Sequence, residues 1–125
     1  MYKLNEPEAM SANVDGVMLI IQNVSFCYFS PSPDAQPLVE AILDGYDPEM
    51  VLAAAREKGY NLGKDREAFD DLVGQLVDEK IAVPAPEAAK AGMPELAPPV
   101  EGEEPVLVRY DDLREMLALD PIFVK

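Results

Sequence analysis

"KDREAFDDLVGQLVDEK", residues Lys64–Lys80, decides how the rest of the chain is interpreted. Phe69, Leu72 and Leu76 recur at spacings of three and four, which predicts an amphipathic helix with one buried face. The remaining surface is acidic, because residues Asp65–Lys80 include six acidic side chains and two basic ones. Phosphate backbones are bound through lysine and arginine. We therefore expect this helix to face a partner other than nucleic acid.

The overall composition excludes several classes of partner. The 125 residues carry a net charge of −14 and no histidine, which argues against nucleic acid and anionic membranes. The sequence has no apolar run long enough for a membrane span, and its first ten residues, "MYKLNEPEAM", lack the apolar core of a secretory signal. A single cysteine, Cys27, cannot form an intramolecular disulfide. A cytoplasmic location is expected.

Three strands are predicted before the helices. Residues 17–21 ("VMLII") and 24–29 ("VSFCYF") are rich in β-branched and aromatic side chains, and Gln22-Asn23 between them suits a tight turn. The Asp-Gly pair at residues 15–16 predicts a second turn, which makes residues 8–13 a first strand. We expect a three-stranded antiparallel meander whose third strand, Ser25–Phe29, lies at the edge.

Three helices and a linker follow in the predicted order. Asp34, Asp47 and Asp65 are the expected N-caps of the three helices, and Gly59 is the expected C-cap of the second. Six of the twelve prolines then lie within or beside residues 85–104, which indicates a Pro/Ala/Glu-rich linker. The predicted fold class is α+β, with residues 1–84 forming one domain.

The C-terminal segment, residues 105–125, reads "PVLVRYDDLREMLALDPIFVK". Val106–Tyr110 alternates like a strand. Asp111 or Asp112 is placed to cap a short helix, whose apolar face would carry Leu113, Met116 and Leu117. So much apolar surface is not expected to remain exposed.

Residues 43–83, "LDGYDPEMVLAAAREKGYNLGKDREAFDDLVGQLVDEKIAV", resemble the helical half of the PqqD-like proteins. These are peptide chaperones of pyrroloquinoline-quinone biosynthesis and related pathways. The signature elements are a helix ending in Leu43-Asp44-Gly45, a short helix over Glu49–Lys58, and an acidic helix running from Asp70-Asp71-Leu72 to an exit at Ile81. With the preceding hairpin, the resemblance covers residues 8–84. The linker and the C-terminal segment lie outside the minimal family domain.

The resemblance implies a winged helix-turn-helix fold that acts as a recognition element for ribosomally made, post-translationally modified peptides. Such a protein is not an enzyme and uses no cofactor. It binds the leader of a precursor peptide and presents the precursor to a modifying enzyme, often a radical S-adenosylmethionine protein. The leader is expected to add as a strand to the third strand, in a groove walled by the third helix.

The residues themselves are compatible with that site. An edge strand presents unpaired backbone groups to an extended peptide. Alternation puts Phe26 and Tyr28 on one face and Ser25, Cys27 and Phe29 on the other. The sequence does not decide which face meets the helices. On the third helix, one stripe mixes a cation, an anion and two aliphatic side chains beside a mid-helix glycine. The predicted peptide-binding residues are Ser25, Phe26, Cys27, Tyr28, Phe29, Arg66, Asp70, Val73, Gly74 and Val77.

Several alternatives stay open on sequence alone. Catalysis is not expected, since no histidine is present to activate Cys27, and carboxylates alone are poor zinc ligands. A winged-helix transcriptional regulator is the first alternative function, and an assembly adaptor that acts through the C-terminal segment is the second. Three roles stay open for that segment: covering the edge strand of its own domain, exchanging with a second copy to form a homodimer, or docking on the modifying enzyme.

Overall fold

Strands precede and follow three helices in the part of the chain that the structure, a computed structural model, describes: residues 1–111. The fold is mixed α+β, as predicted. The strands are β1 (Tyr2–Leu4), β2 (Ala9–Val14), β3 (Val17–Gln22), β4 (Cys27–Pro31), β5 (Ala82–Pro84) and β6 (Leu107–Tyr110). The α-helices are α1 (Gln36–Leu43), α2 (Pro48–Lys58) and α3 (Glu67–Asp78), and short 3₁₀ turns cover Lys64–Arg66 and Pro86–Ala88.

Two antiparallel sheets form, and the larger one has four strands rather than the predicted three. The meander β2-β3-β4 is present, with the predicted turn at Asp15 and Gly16, whose φ angles are +53° and +82°. The fourth strand is β6, which pairs antiparallel with β4. Strand β6 comes from the C-terminal segment. Because β6 pairs with the side of β4 that faces away from β3, β4 lies inside the sheet and not at its edge. Strands β1 and β5 form a separate two-stranded sheet.

The connection between β3 and β4 is longer than the predicted two-residue turn. Gln22 belongs to β3 and is buried. Its Nε2 donates to the Lys80 carbonyl at 3.0 Å, and its Oε1 accepts the Val24 N–H at 2.7 Å. Because this side chain is anchored beneath the end of α3, the turn occupies residues 23–26 and β4 begins only at Cys27.

Two of the four predicted helix caps are confirmed. The Asp47 carboxylate accepts the Glu49 N–H at 2.9 Å, and Gly59 ends α2 with a φ of +82°. Asp34 instead binds the linker, and Asp65 adopts a φ of +52° within a 3₁₀ turn. None of the helices in residues 1–111 is long and apolar enough to cross a membrane.

The core lies between one face of the four-stranded sheet and the helices. Alternation along the strands sends Ile20 and Phe29 inward, where both are fully buried, and leaves Tyr28 on the outer face. The three helices contribute their apolar faces to the same cluster, and so does Leu107 of β6. Each fully buried side chain of this size contributes about 1.5–3 kcal/mol.

The linker runs along the helices before it reaches β6. Leu96 is buried in the core cluster, and the Tyr60 hydroxyl donates to the Ala97 carbonyl. The Asp34 carboxylate then accepts the backbone N–H groups of three consecutive residues, Val100, Glu101 and Gly102. These contacts fix the path of the chain up to β6.

Candidate functional site

The candidate site is the groove between β4 and one flank of α3, which carries Gln75 and continues to Glu79 at the C-cap of the helix; we call it the β4–α3 groove. Strand β6 fills it. The pairing places Tyr110 opposite Tyr28 and Leu107 opposite Pro31. The segment that the sequence identified as a possible added strand on β4 therefore occupies that position. The predicted short helix after Asp111 lies outside the described residues.

Backbone pairing between β4 and β6 follows a regular antiparallel alternation. Just beyond the strand ends, Ser32 N–H donates to the Val106 carbonyl at 2.8 Å. In an antiparallel ladder, hydrogen-bonded and non-hydrogen-bonded pairs alternate. Ser30 and Val108 are thus a hydrogen-bonded pair, whereas Pro31 and Leu107 are not. Pro31 has no N–H to donate, and its position in the ladder requires none from it on the β6 side.

Gln75 of α3 and Glu79, the C-cap of that helix, contact β6 from the other side of the groove. Gln75 Nε2 donates to the Leu107 carbonyl at 3.0 Å, a bond that any residue at that position accepts. Arg109 Nη1 donates to Glu79 Oε2 at 2.7 Å, and this hydrogen bond raises the pKa of Arg109 above its ordinary value. The Leu107 side chain itself is only 6% exposed. The groove therefore combines one backbone contact, one charge contact and one apolar contact.

The predicted residues of β4 are divided between two faces and a turn. Cys27 and Phe29 point inward and are buried, while Tyr28 is half-buried on the outer face. Ser25 and Phe26 lie in the turn before β4, where Phe26 is 75% exposed and has a φ of +59°. Only Cys27, Tyr28 and Phe29 thus belong to the strand that β6 pairs with.

Arg66 and Asp70 of the predicted stripe form an ion-pair cluster with α2. Arg66 Nη1 donates to Glu49 Oε1 at 2.8 Å, and its Nε donates to Asp70 Oδ1 at 3.0 Å. The hydrogen bond from Arg66 lowers the pKa of Glu49. The guanidinium also lies 5.9 Å from the centre of the Phe69 ring. These contacts join the start of α3 to α2.

The rest of the stripe lies on the same flank of α3, away from β6. Val73 is half-buried against the core and Val77 is 38% exposed. At about 100° per residue, the stripe lies well over 90° around the helix from Gln75 and Glu79. Apart from its chain neighbours and the backbone of its own helix, no described atom lies within 4 Å of where a Cβ would stand at Gly74.

Sequence reasoning missed Gln75 of α3 and Glu79 at its C-cap, the residues that contact β6. Their i, i+4 spacing beside Leu72 and Leu76 did not single them out, because the opposite flank has similar helical spacing. The prediction was placed on the opposite flank because that flank carries the more varied side chains.

The chain entering the groove is fastened at Asp34. Burial acts to raise the pKa of this carboxylate, but backbone N–H donors from Val100, Glu101, Gly102 and Glu103 outweigh burial and lower the pKa. Gly102 N–H, for example, lies 2.7 Å from Asp34 Oδ2. The anchor lies a few residues before β6, so it delivers β6 to the groove.

Within residues 1–111, no group of three or more cysteine or acidic side chains is arranged to hold a metal ion. Cys27 is a free and buried thiol. Comparison of the chain with protein-family models, curated proteins and solved structures finds no match.

Proposed function

We propose that this protein is a non-catalytic peptide chaperone of the PqqD type, with a winged helix-turn-helix fold. It binds the leader of a ribosomally synthesised precursor by strand addition and presents the precursor to a modifying enzyme, a radical S-adenosylmethionine protein in this proposal. The observation that carries the proposal is β6, an extended segment paired with β4 and gripped by α3.

The contacts of β6 are of a kind that a separate peptide also makes. Strand addition draws most of its affinity from main-chain hydrogen bonds, and side-chain pockets add selectivity. Gln75 binds a carbonyl and Ser32 binds both backbone groups of Val106. None of these bonds depends on which side chains the extended segment carries.

In this proposal, strand β6 regulates access to the β4–α3 groove, because it already occupies the groove. A tethered strand competes at an effective concentration in the millimolar range. A leader must therefore displace β6. Its apparent affinity is its affinity for the open groove multiplied by the fraction of molecules in which the groove is open. In this proposal the C-terminal segment excludes weak, non-cognate peptides until a cognate leader arrives.

The charges around α3 favour a peptide over nucleic acid. Arg66 is engaged by two carboxylates, so it is not free to neutralise a phosphate. Asp71 and Asp78 add further negative charge to the exposed surface of α3. A duplex placed against α3 would meet repulsion, since DNA binding depends on releasing counterions from phosphates.

The test uses the full chain and a labelled peptide with the sequence of residues 104–111, EPVLVRYD. Val108 is 41% exposed and its backbone pairs with Ser30, so Val108→Pro removes a ladder hydrogen bond without touching the core. Val108→Thr keeps the N–H and the β-branched shape, and serves as the matched control. By fluorescence anisotropy we expect the proline variant to bind the peptide at least about tenfold more tightly.

A scrambled peptide of the same composition controls for non-specific binding, and circular dichroism establishes that both variants are folded. Equal, weak binding of EPVLVRYD to the two folded variants would overturn the proposal, because an emptied groove would then have no affinity for an extended chain.

A further inference from the structure

We propose that the β4–α3 groove selects peptides in which a leucine-sized apolar residue is followed, two positions later, by an arginine. This inference rests on the proposed function and names its ligand class. It takes β6 as the template, in which Leu107 and Arg109 are the two side chains that face the groove. The intervening Val108 points to the outer face of the sheet, where it is 41% exposed.

The apolar position is defined by burial. Leu107 is 6% exposed and belongs to the same cluster as the domain core. Its neighbours along the strand, Val106 and Val108, are 50% and 41% exposed. A polar or charged side chain at the buried position would lose its hydration without a partner, whereas the two flanking positions accept almost any residue.

The cationic position is defined by Glu79 on the domain side of the groove, while Arg109 Nε also donates to Asp111 Oδ1 of its own segment at 3.2 Å. Arg109 Nη1 lies 2.7 Å from Glu79 Oε2, and the two side chains are 44% and 21% exposed. The carboxylate is thus partly shielded from water, which strengthens its attraction for a cation. An acidic residue at this point of a peptide would face Glu79 directly and be repelled.

The spacing of the two positions follows from the geometry of α3. Gln75 and Glu79 are one helical turn apart, a rise of about 6 Å, and Leu107 and Arg109 are separated by about 6.7 Å along a strand. Gln75 fixes the carbonyl of the first position while Glu79 meets the side chain of the second. A slip by one residue would turn the apolar side chain outward and the cation away from Glu79.

The test measures binding of four labelled peptides to the full-length Val108→Pro variant by fluorescence anisotropy. They are EPVLVRYD and its Leu107→Ala, Arg109→Glu and Val108→Thr forms. We expect the alanine peptide to bind at least about tenfold more weakly and the glutamate peptide about fivefold more weakly. The threonine peptide, changed only at the outward position, should stay within about twofold of the parent.

A charge exchange provides the specific readout. Adding Glu79→Arg to the proline variant should weaken the parent peptide and strengthen the Arg109→Glu peptide, so that their order of affinity reverses. If the parent binds but the Leu107 and Arg109 substitutions change nothing, the ligand class is wrong and the proposed function stands. If no peptide binds, both are wrong.

Discussion

Gly45 explains why helix α1 is followed by a glycine in the sequence Leu43-Asp44-Gly45. Its φ is +105°, and a Cβ at this position would lie 2.2 Å from the Ala88 carbonyl oxygen. The Gly45 carbonyl also accepts the Lys90 N–H at 3.0 Å. The glycine is therefore required both for the left-handed turn after α1 and for the close approach of the linker.

Two alanine substitutions separate these requirements. Gly59 has a similar left-handed conformation with a φ of +82°, and apart from its chain neighbours no described atom lies within 4 Å of its Cβ position. Gly59→Ala should lower the free energy of unfolding by about 1–2 kcal/mol through backbone strain alone. Gly45→Ala should cost at least about 1 kcal/mol more, because a backbone carbonyl must move. Urea unfolding at equilibrium measures both, and equal losses would show that the linker does not lie against Gly45.

The linker, residues 85–104, follows a fixed path because Asp34 binds its backbone. The carboxylate sits where a helix N-cap was expected, yet it accepts backbone N–H groups of residues 100–102 from a distant part of the chain. Such charge-assisted bonds are stronger than neutral ones. The anchor fixes the start of the path into the β4–α3 groove.

Asp34→Asn tests this anchor through its pH dependence. The substitution keeps the shape but removes the charge, and should lower the free energy of unfolding by about 1–3 kcal/mol at about pH 7. The pKa of Asp34 is depressed in the folded state, so its contribution is complete above the unfolded value of about 3.9 and declines as the pH falls below it. Urea unfolding over a descending pH series should show the difference between the two proteins shrinking as the pH falls below about 3.9. A constant difference across that range would contradict the role of the charge.

At the level of elements, local signals were predictable and long-range contacts were not. The Asp15-Gly16 turn, the Asp47 cap and the Gly59 cap depend on a few neighbouring residues, and the sequence predicted all three. The start of β4 depends on Gln22 reaching Lys80, 58 positions along the chain. The pattern of residues along one strand does not indicate such a long-range contact.

The flank of α3 that meets β6 was unpredictable for a related reason. Both flanks of the core stripe have suitable helical spacing, and only the arrival of β6 beside Gln75 and Glu79 distinguishes them. The sequence did predict a strand over residues 106–110, and coverage of the third meander strand was one of three alternatives for it. It left open whether that cover comes from the same chain.

The whole molecule is a domain in which the chain's own strand β6 fills the β4–α3 groove. Asp34 and Tyr60 hold the linker, and the linker delivers β6 to β4. Because β4 is an inner strand in this arrangement, binding of an external peptide must exchange one strand for another. Under the proposed function, affinity for a leader depends on how easily β6 leaves as well as on the contacts that the leader gains.

Hydrogen exchange at the Ser30 amide tests this exchange most directly. In the antiparallel ladder the Ser30 N–H bonds to Val108, so its exchange rate, followed by NMR, reports whether the groove is occupied. We predict slow exchange in the Val108→Thr control and faster exchange in Val108→Pro. Adding saturating EPVLVRYD peptide to the proline variant should restore slow exchange. If the Ser30 amide stays equally protected in both variants, or stays fast when the peptide is bound, the groove is not a site for strand addition.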